Sequence, residues 1–358
     1  MVPMEGYIFT FFREDEGPRS SSQRISRVGR VCRQDRGGPT ARDAKWLTSY
    51  VKARLACAMP GDNPFYFDEI RAISDVFQVN GHSLFYGLFT TADNNIYGSA
   101  VCLYDFEDIN KVFRGNFAHN SEVDVKANDV PEPRPGQCVN DSTSLPQSVI
   151  DFNAKHPTMS SAIKPVYERP VLAHTSIQWR YSAIAVVPQV KAVDDQLYDV
   201  LFIGTDDGKV LKALSGSPTE DPIIIEEIDV LKSNRQAVKK LQVVGNQVLV
   251  VYNSEVHALP IERCHLARSC KECVALRDPH CAWFSSQCQF QHPTIRYVAS
   301  LLGNKKSIIN ICFESFRNAI FIKTNDVVQN VRLGLDSRCV ELDSTSSFPI
   351  ISNHGKQL

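Results

Sequence analysis

Five cysteines fall between Cys264 and Cys288, spaced Cys264-x5-Cys270-x2-Cys273-x7-Cys281-x6-Cys288, with Asp278-Pro279-His280 and Ala282-Trp283 around the fourth. A stretch this short cannot bury enough apolar surface to order itself, so cross-links that restrict its unfolded state must supply the missing stability. The density points to an oxidising compartment and a disulfide-stapled module. Two other uses of clustered cysteines fit less well. Cys270-x2-Cys273 has zinc-ligand spacing with His265 and His280 nearby, but a structural zinc site usually shows a second close ligand pair. Cys281 and Cys288 stand seven apart instead, and six further cysteines are scattered along the chain. A thioredoxin-like Cys-x-x-Cys needs a strand before it and a helix after it inside a βαβ unit, and the surrounding sequence shows neither.

The 358 residues, 43% of them hydrophobic, allow one large domain and a small one. A formal charge of −1 gives no global reason to expect a nucleic-acid partner. Locally, Arg19, Arg24, Arg27, Arg30, Arg33, Arg36 and Arg42 make the N-terminal portion basic. They form either an ordinary solvated face or, if several share one surface after folding, a patch for glycosaminoglycan or another acidic partner. Eleven cysteines is an odd number, so at least one lies outside an intrachain pair, and Cys339 is the candidate. Residues 1–12 lack a basic start, carry Glu5 and offer only a short apolar run, so they are not a secretory signal. The best candidate for a membrane span, residues 307–323, is broken by Glu314 and Arg317. Oxidised cysteines without a signal or a span lead to the expectation of a truncated chain whose parent is secreted or displayed on the outer face of the plasma membrane.

Residues 84–261 repeat one pattern, a short β-branched or aromatic run, a polar turn and another run, which predicts an all-β, antiparallel domain. The clearest unit is Asp199-Val-Leu-Phe-Ile-Gly-Thr205, a turn at Asp206-Asp207-Gly208, then Lys209-Val-Leu-Lys-Ala-Leu214. Asp-Gly supplies the positive φ of a tight hairpin. Similar units run Leu84-Phe-Tyr-Gly-Leu-Phe-Thr90 with Ala100-Val-Cys-Leu-Tyr104, and Gln247-Val-Leu-Val-Val-Tyr252 with Glu255-Val-His-Ala-Leu-Pro-Ile261. Each is expected to be the outer hairpin of a four-stranded sheet, and small sheets stacked radially are the logic of a β-propeller. A β-sandwich is hard to stretch over so many residues. Two segments resist a strand reading. Residues 44–55 fit helical spacing and alternation equally, and residues 145–159 predict a short helix or an irregular loop. Residues 131–136, with three prolines, are loop. Asn140-Asp141-Ser142 is the only N-glycosylation sequon in the chain.

No Gly-x-Ser-x-Gly, His-Glu-x-x-His or phosphate loop is present. His82, His119, His156, His174 and His257 are isolated, and the pairs Glu226-Glu227 and Asp194-Asp195 read as strand-edge and loop charges. The expectation is a protein that is not an enzyme and takes no cofactor, metal or small-molecule substrate.

A further set of residues carries a resemblance. It comprises Arg27-Val-Gly-Arg-Val-Cys32, Asp35-x-Gly37-Gly38, Trp46 with Val51-Lys-Ala-Arg-Leu-Ala-Cys57, Phe65-Tyr-Phe67 with Glu69-Ile70, and Phe89-Thr-Thr91. Ser99-Ala-Val-Cys102, Pro133-Arg-Pro-Gly-Gln-Cys138 and Phe202-Ile-Gly-Thr205 complete it. Together they resemble the sema domain of semaphorins, most of all the invertebrate transmembrane class 1 members, which share counterparts of Phe11-Phe-Arg-Glu14 and Gly61-Asp62. The cysteine cluster resembles the plexin-semaphorin-integrin (PSI) module that follows a sema domain.

The resemblance implies part of a seven-bladed β-propeller, beginning inside the third blade, over residues 1–261. A PSI module over 262–290, or to about 315, would follow, with 291–358 left as an unassigned tail. It implies disulfides Cys32 to Cys138 and Cys57 to Cys102, then Cys264 to Cys281 and Cys273 to Cys288, with Cys270 left for Cys312. Phe284 stands where the family usually carries an acidic residue, and the tail matches nothing in the family. The function implied is that of an extracellular guidance ligand, dimeric in its full-length form, which binds a plexin receptor through its sema domain and repels or steers migrating cells and axons. The resemblance assigns no individual receptor-contact residue. The alternatives are a plexin-like receptor fragment, since plexins also join a sema domain to a PSI module, and an incomplete fragment without independent activity.

Overall fold

A computed structural model of the chain describes residues 1–16, 23–92, 96–119, 123–193, 196–232, 235–284, 286–291, 320–324 and 327–331. Two compact units emerge. The first comprises Met1–Val187, Val200–Val244 and Val248–Ala258, and the second Pro188–Asp199, Gly245–Gln247 and the chain from Leu259.

The first unit opens with an antiparallel sheet of β1 (Val2–Met4), β2 (Tyr7–Asp15), β3 (Arg24–Cys32) and β4 (Val51–Arg54), in that order. Glu5 and Gly6, both at positive φ, make the tight turn that sets β1 back against β2. A two-stranded ribbon of β5 (Ala58–Met59) and β6 (Phe65–Tyr66) follows. The second sheet adds β7 (Glu69–Ile73), β8 (Phe77–Val79), β9 (His82–Thr90) and β10 (Tyr97–Asp105). Helix α1 (Phe106–Phe113) leaves directly from β10. A short pair β11 (Ala118–His119) and β12 (Val123–Asp124), then α2 (Gln147–Lys155), lead back to β13 (Leu172–Ser176). The sheet order is β13-β10-β9-β7, with β8 also on β9. The third sheet, β14 (Tyr181–Lys191), β15 (Leu197–Thr205), β16 (Lys209–Leu214) and β17 (Ile223–Asp229), is a simple meander. Strands β18 (Lys240–Val244), β19 (Gln247–Val251) and β20 (Val256–Pro260) form a fourth.

The hairpins read from the sequence are present, but two of the three lie elsewhere in their sheets than expected. β9–β10 and β15–β16 are the central strands of their sheets, not the outer pair. Their near-continuous apolar runs are the reason, because a strand covered on both faces need not alternate. From Phe85 to Thr90 and from Gly98 to Asp105 every residue is buried. In the β15–β16 turn Gly208 takes the positive φ, while Thr205 Oγ1 accepts from the Lys209 N–H at 2.9 Å and donates to Asp207.

The two ambiguous segments resolve differently. Residues 145–159 contain α2, whose buried Val149, Ile150 and Asn153 share one face, and Asn153 Nδ2 donates to the carbonyls of Thr48 and Tyr50. Residues 44–55 give a strand, preceded by a short 3-10 turn at Asp43–Lys45. Trp46 and Leu47 are exposed, whereas Val51, Ala53 and Leu55 alternate inward. Helix α1 has no counterpart in the sequence reading. It starts because Asp105 accepts from the Glu107 N–H at 2.9 Å, and Phe106, Ile109 and Phe113 then form its buried stripe.

An aromatic cluster fills the space between the first two sheets. Phe85 sits 5.1 Å from the rings of Phe11 and Phe106 and 5.3 Å from that of Tyr104, with Phe9 5.1 Å from Phe106. A second core joins Leu88, Val101 and Leu103 to Leu201, Ile203, Leu211 and Ala213.

In the second unit a 3-10 turn at Cys264–Leu266 precedes α3 (Cys270–Ala275) and the hairpin β21 (Cys281–Phe284) with β22 (Gln287–Phe290). Ser269 caps α3 by accepting from Glu272 N–H, and Glu272 returns the favour to the Arg268 N–H at 2.7 Å. A last hairpin, β23 (Ile320–Thr324) with β24 (Val327–Val331), takes in the end of the segment considered as a membrane span. Among the described residues no helix is long and apolar enough to cross a membrane.

Candidate interaction surface

Among the described residues, the basic N-terminal portion does not assemble into one cationic face. Arg27 pairs with Glu14 at 2.7 Å, and Lys52 joins the same carboxylate at 2.6 Å, so β2, β3 and β4 neutralise one another across the sheet. Arg24 lies 3.4 Å from Asp15, and Arg42 3.3 Å from Asp43. Arg30 is 6% exposed, its guanidinium 4.2 Å from the Tyr7 ring and 4.6 Å from the Phe113 ring. It donates to the Gly136 carbonyl and to Asn110, and burial pulls its pKa down to about 10. Arg30 is thus a packing element that fastens the loop before Cys138. Arg33 and Arg36 remain exposed. Arg19, like Asp194-Asp195, lies outside the described residues.

The cleft between β2 and β7 is lined by Phe11, Arg13, Glu14, Arg24, Ile70 and Arg71. Its central charges are mutually satisfied, with Arg13 and Arg71 at 2.8 and 2.9 Å from Glu69. Among the isolated histidines, His82 Nδ1 contacts Asp105 at 2.6 Å and His257 contacts Glu255 at 2.9 Å.

The β5–β6 ribbon presents a different chemistry. Met59 and Phe65 face each other in register, and with Tyr66 they leave 44%, 47% and 40% of their surface in water. The ribbon is held at its base. Cys57 is bonded to Cys102 of β10, the Phe67 N–H donates to the Cys57 carbonyl at 2.9 Å, and Tyr104 donates to the Ala56 carbonyl at 2.8 Å. Phe65 rests edge-on against buried Phe67 at 5.2 Å, and the Arg54 guanidinium lies 4.8 Å from the Tyr66 ring while pairing with Asp68 at 3.0 Å. Aromatic and arginine side chains held in place before contact lose little entropy on binding, which is what an interface anchor requires. Sequence reading recorded Phe65-Tyr-Phe67 only as a motif. Its exposure was hidden because an aromatic triplet at strand spacing reads equally as core.

The cysteines named from the sequence are distributed as follows. Cys32 lies with Cys138 at a Cα separation of 5.4 Å, Cys57 with Cys102 at 6.0 Å, Cys264 with Cys281 at 5.4 Å, and Cys273 with Cys288 at 5.5 Å, each pair bonded. Cys270 is buried at the start of α3, while Cys312 and Cys339 lie outside the described residues. Glu262 approaches Cys264 and Cys281, but sulfurs joined in a disulfide offer no thiolate to a metal. Asn140 is exposed.

Comparison with known proteins places this architecture. The profile of the Sema domain matches residues 71–245, and that of the Plexin repeat matches residues 263–310. Semaphorin-1A of Schistocerca americana is 43% identical over 300 residues, which cover 77% of this chain and 41% of that protein. Semaphorin-1A of Drosophila melanogaster is 37% identical over 309 residues, 77% of this chain and 34% of the relative. The chain therefore spans well under half the length of these relatives. Among solved structures, Drosophila Semaphorin 1b, extracellular domains 1-2, superposes with a TM-score of 0.76 at 38% identity, covering 82% of this chain and 61% of that one. A structure of Drosophila Plexin A in complex with Semaphorin 1b matches with the same score and identity, over 81% of this chain and 61% of the matched one. Plexin A4 matches at 17% identity and a TM-score of 0.55, a likeness of fold alone. With its propeller-type sheets, its disulfide-rich plexin repeat and these relatives, the chain belongs to the semaphorin family.

Proposed function

We propose that this chain is the receptor-binding part of an extracellular guidance ligand that engages a plexin ectodomain through its Sema domain. The observation that carries the reading is the match, at 38% identity, to a structure of Semaphorin 1b bound to Plexin A. Residues 1–261 are assigned to the Sema domain and 262–290, or to about 315, to the PSI module, the longer bound being supported by the plexin-repeat match over residues 263–310. The parent protein acts from the cell surface or after secretion, as a homodimer, and its output is repulsion of axons and migrating cells. Dimerisation adds avidity, since a second contact on a membrane forms at high effective concentration. The β5–β6 ribbon is the proposed receptor anchor, because it combines exposed aromatics, an adjacent arginine and a covalent base. A plexin-like receptor fragment is less well supported, given 17% identity to Plexin A4 against 38% to the semaphorins.

The test is surface plasmon resonance of the chain against an immobilised class A plexin ectodomain. Saturable binding is expected, and Tyr66→Ala together with Phe65→Ala should weaken it at least about tenfold, the loss of a modest hot spot. Binding that survives both substitutions unchanged would move the contact off the ribbon, and absence of binding by the folded chain would sink the ligand reading.

A further inference from the structure

The sole sequon, Asn140-Asp141-Ser142, sits two residues after Cys138 and is clamped on both sides. Asn140 itself is exposed. Ser142, the residue a transferase must recognise, is only 5% exposed, and its Oγ accepts the backbone N–H of Arg36 at 2.8 Å, across 106 residues of chain. Asp141 caps the 3-10 turn Ser142–Ser144, taking the Thr143 N–H at 3.0 Å and its hydroxyl at 2.7 Å on Oδ1. Val139 packs on the small core of Leu145, Val149 and Ile150, and Cys138 is bonded to Cys32 on β3. The acceptor amide therefore faces water while the hydroxyl that qualifies it as an acceptor is sealed beneath the surface. A sequon is read through both groups at once, so the folded backbone cannot present it without releasing Ser142 from Arg36.

We infer that Asn140 is an N-glycan acceptor open only before the Cys32–Cys138 disulfide and the Arg36–Ser142 contact form, so that folding and glycosylation compete for the same segment. In the modification, Asn140 Nδ2 bonds to C1 of the terminal N-acetylglucosamine of a dolichyl-diphosphate oligosaccharide. The C1–O bond breaks, dolichyl diphosphate departs with the electron pair, and a carboxylate of the transferase takes the amide proton. In the competing step two thiols lose two electrons and two protons to a protein disulfide oxidant, which is reduced to its dithiol. Whichever step comes first decides the outcome: early transfer leaves a glycan beside the closed bridge, and early closure leaves Asn140 bare for the life of the protein. This order of events is independent of what the Sema domain binds.

The experiment presents the purified, unglycosylated chain to purified oligosaccharyltransferase and its dolichyl-diphosphate oligosaccharide, once oxidised and folded and once reduced with dithiothreitol. Transfer is read as a mass gain at Asn140 that glycosidase removes with conversion to aspartate, and Asn140→Gln is the blank. The reduced chain should be modified at least about tenfold faster than the oxidised chain, a ratio that release of one buried hydrogen bond already accounts for. The oxidised double variant Cys32→Ser, Cys138→Ser should approach the reduced rate. Equal rates for oxidised and reduced chain would overturn the gate, and no transfer to the reduced chain would overturn the acceptor assignment. A double variant as resistant as the oxidised wild type would remove the disulfide from the mechanism.

Discussion

The sheets of the first unit and the cysteine module hold together by opposite means. Phe9, Phe85, Phe89, Tyr104, Phe106, Phe113 and Phe117 are almost wholly buried in the first, so its order rests on aromatic surface taken from water. The core of the module is Cys264, Cys273, Cys281 and Cys288 with Ala267, flanked by Leu276 and Trp283. Loop entropy alone would rank the bridges the other way. A closed loop of roughly 100 residues, the size that Cys32–Cys138 makes, restricts the unfolded chain by about 4.7 kcal/mol, against about 3 kcal/mol for loops of ~15 residues like those in the module. The larger number belongs to the unit with less need of it. What decides whether a cross-link is essential is the apolar surface left when it is gone, not the entropy it removes.

That contrast can be broken most severely by Phe85→Ala, which deletes a ring in contact with Phe11, Tyr104 and Phe106. It should cost the first unit about 3–5 kcal/mol, and urea unfolding followed by amide exchange should show the loss there while protection of β21 and β22 is unchanged. The reciprocal change is Cys273→Ser with Cys288→Ser. Removal of a native bridge from a small module costs about 2–5 kcal/mol, comparable with everything its few apolar residues supply. Amide protection in α3, β21 and β22 should disappear while β9 and β10 stay protected. A module that keeps its protection without this bridge would show that Trp283 and Leu276 suffice, and the contrast between the two units would fall.

A smaller change tests α1, one of the two helices, with α3, that sequence reading passed over. Asp105 ends β10, caps α1 and meets His82, so Asp105→Ala should cost about 0.5–2 kcal/mol, while Asp105→Asn should retain most of the cap. Equal losses in both variants would mean that the carboxylate charge, and not the cap, is what matters.

The parts of the fold legible in the sequence were those fixed by local chemistry. Asp206-Asp207-Gly208 declares its turn, and the runs on either side of it have no other use than strands. Helix α1 was not legible, because Phe106 continues the apolar run of β10 without interruption and its only start signal is one aspartate that also fits a strand end. Sheet order was not legible either, since a continuously apolar hairpin announces burial but not its neighbours. For the cysteines, spacing left three connectivities open for the four in the first unit, and only the family likeness chose among them. Exposure of Met59, Phe65 and Tyr66 depends on how Cys57 and Cys102 hold the ribbon, a contact between residues 45 apart in sequence.

The smallest effect separates the two kinds of core by pH. On β13, His174 stacks on Trp179 at 4.3 Å and 12°, with Tyr181 beyond it, and its Nε2 is buried without a hydrogen-bond partner among the described residues. Burial lowers its pKa from the ordinary imidazole value, and the nearby Glu227 only partly offsets this. Between those two values the unfolded chain binds a proton that the folded chain does not, so stability is full above about pH 6.5 and falls as the solution is acidified toward the lowered value. The three tryptophans can be separated by Trp46→Phe and Trp283→Phe. Fluorescence of the remaining Trp179 should then be quenched with a midpoint below about pH 6.5, and His174→Gln should abolish the transition. A midpoint above the ordinary value would mean that Glu227 outweighs burial at this stack.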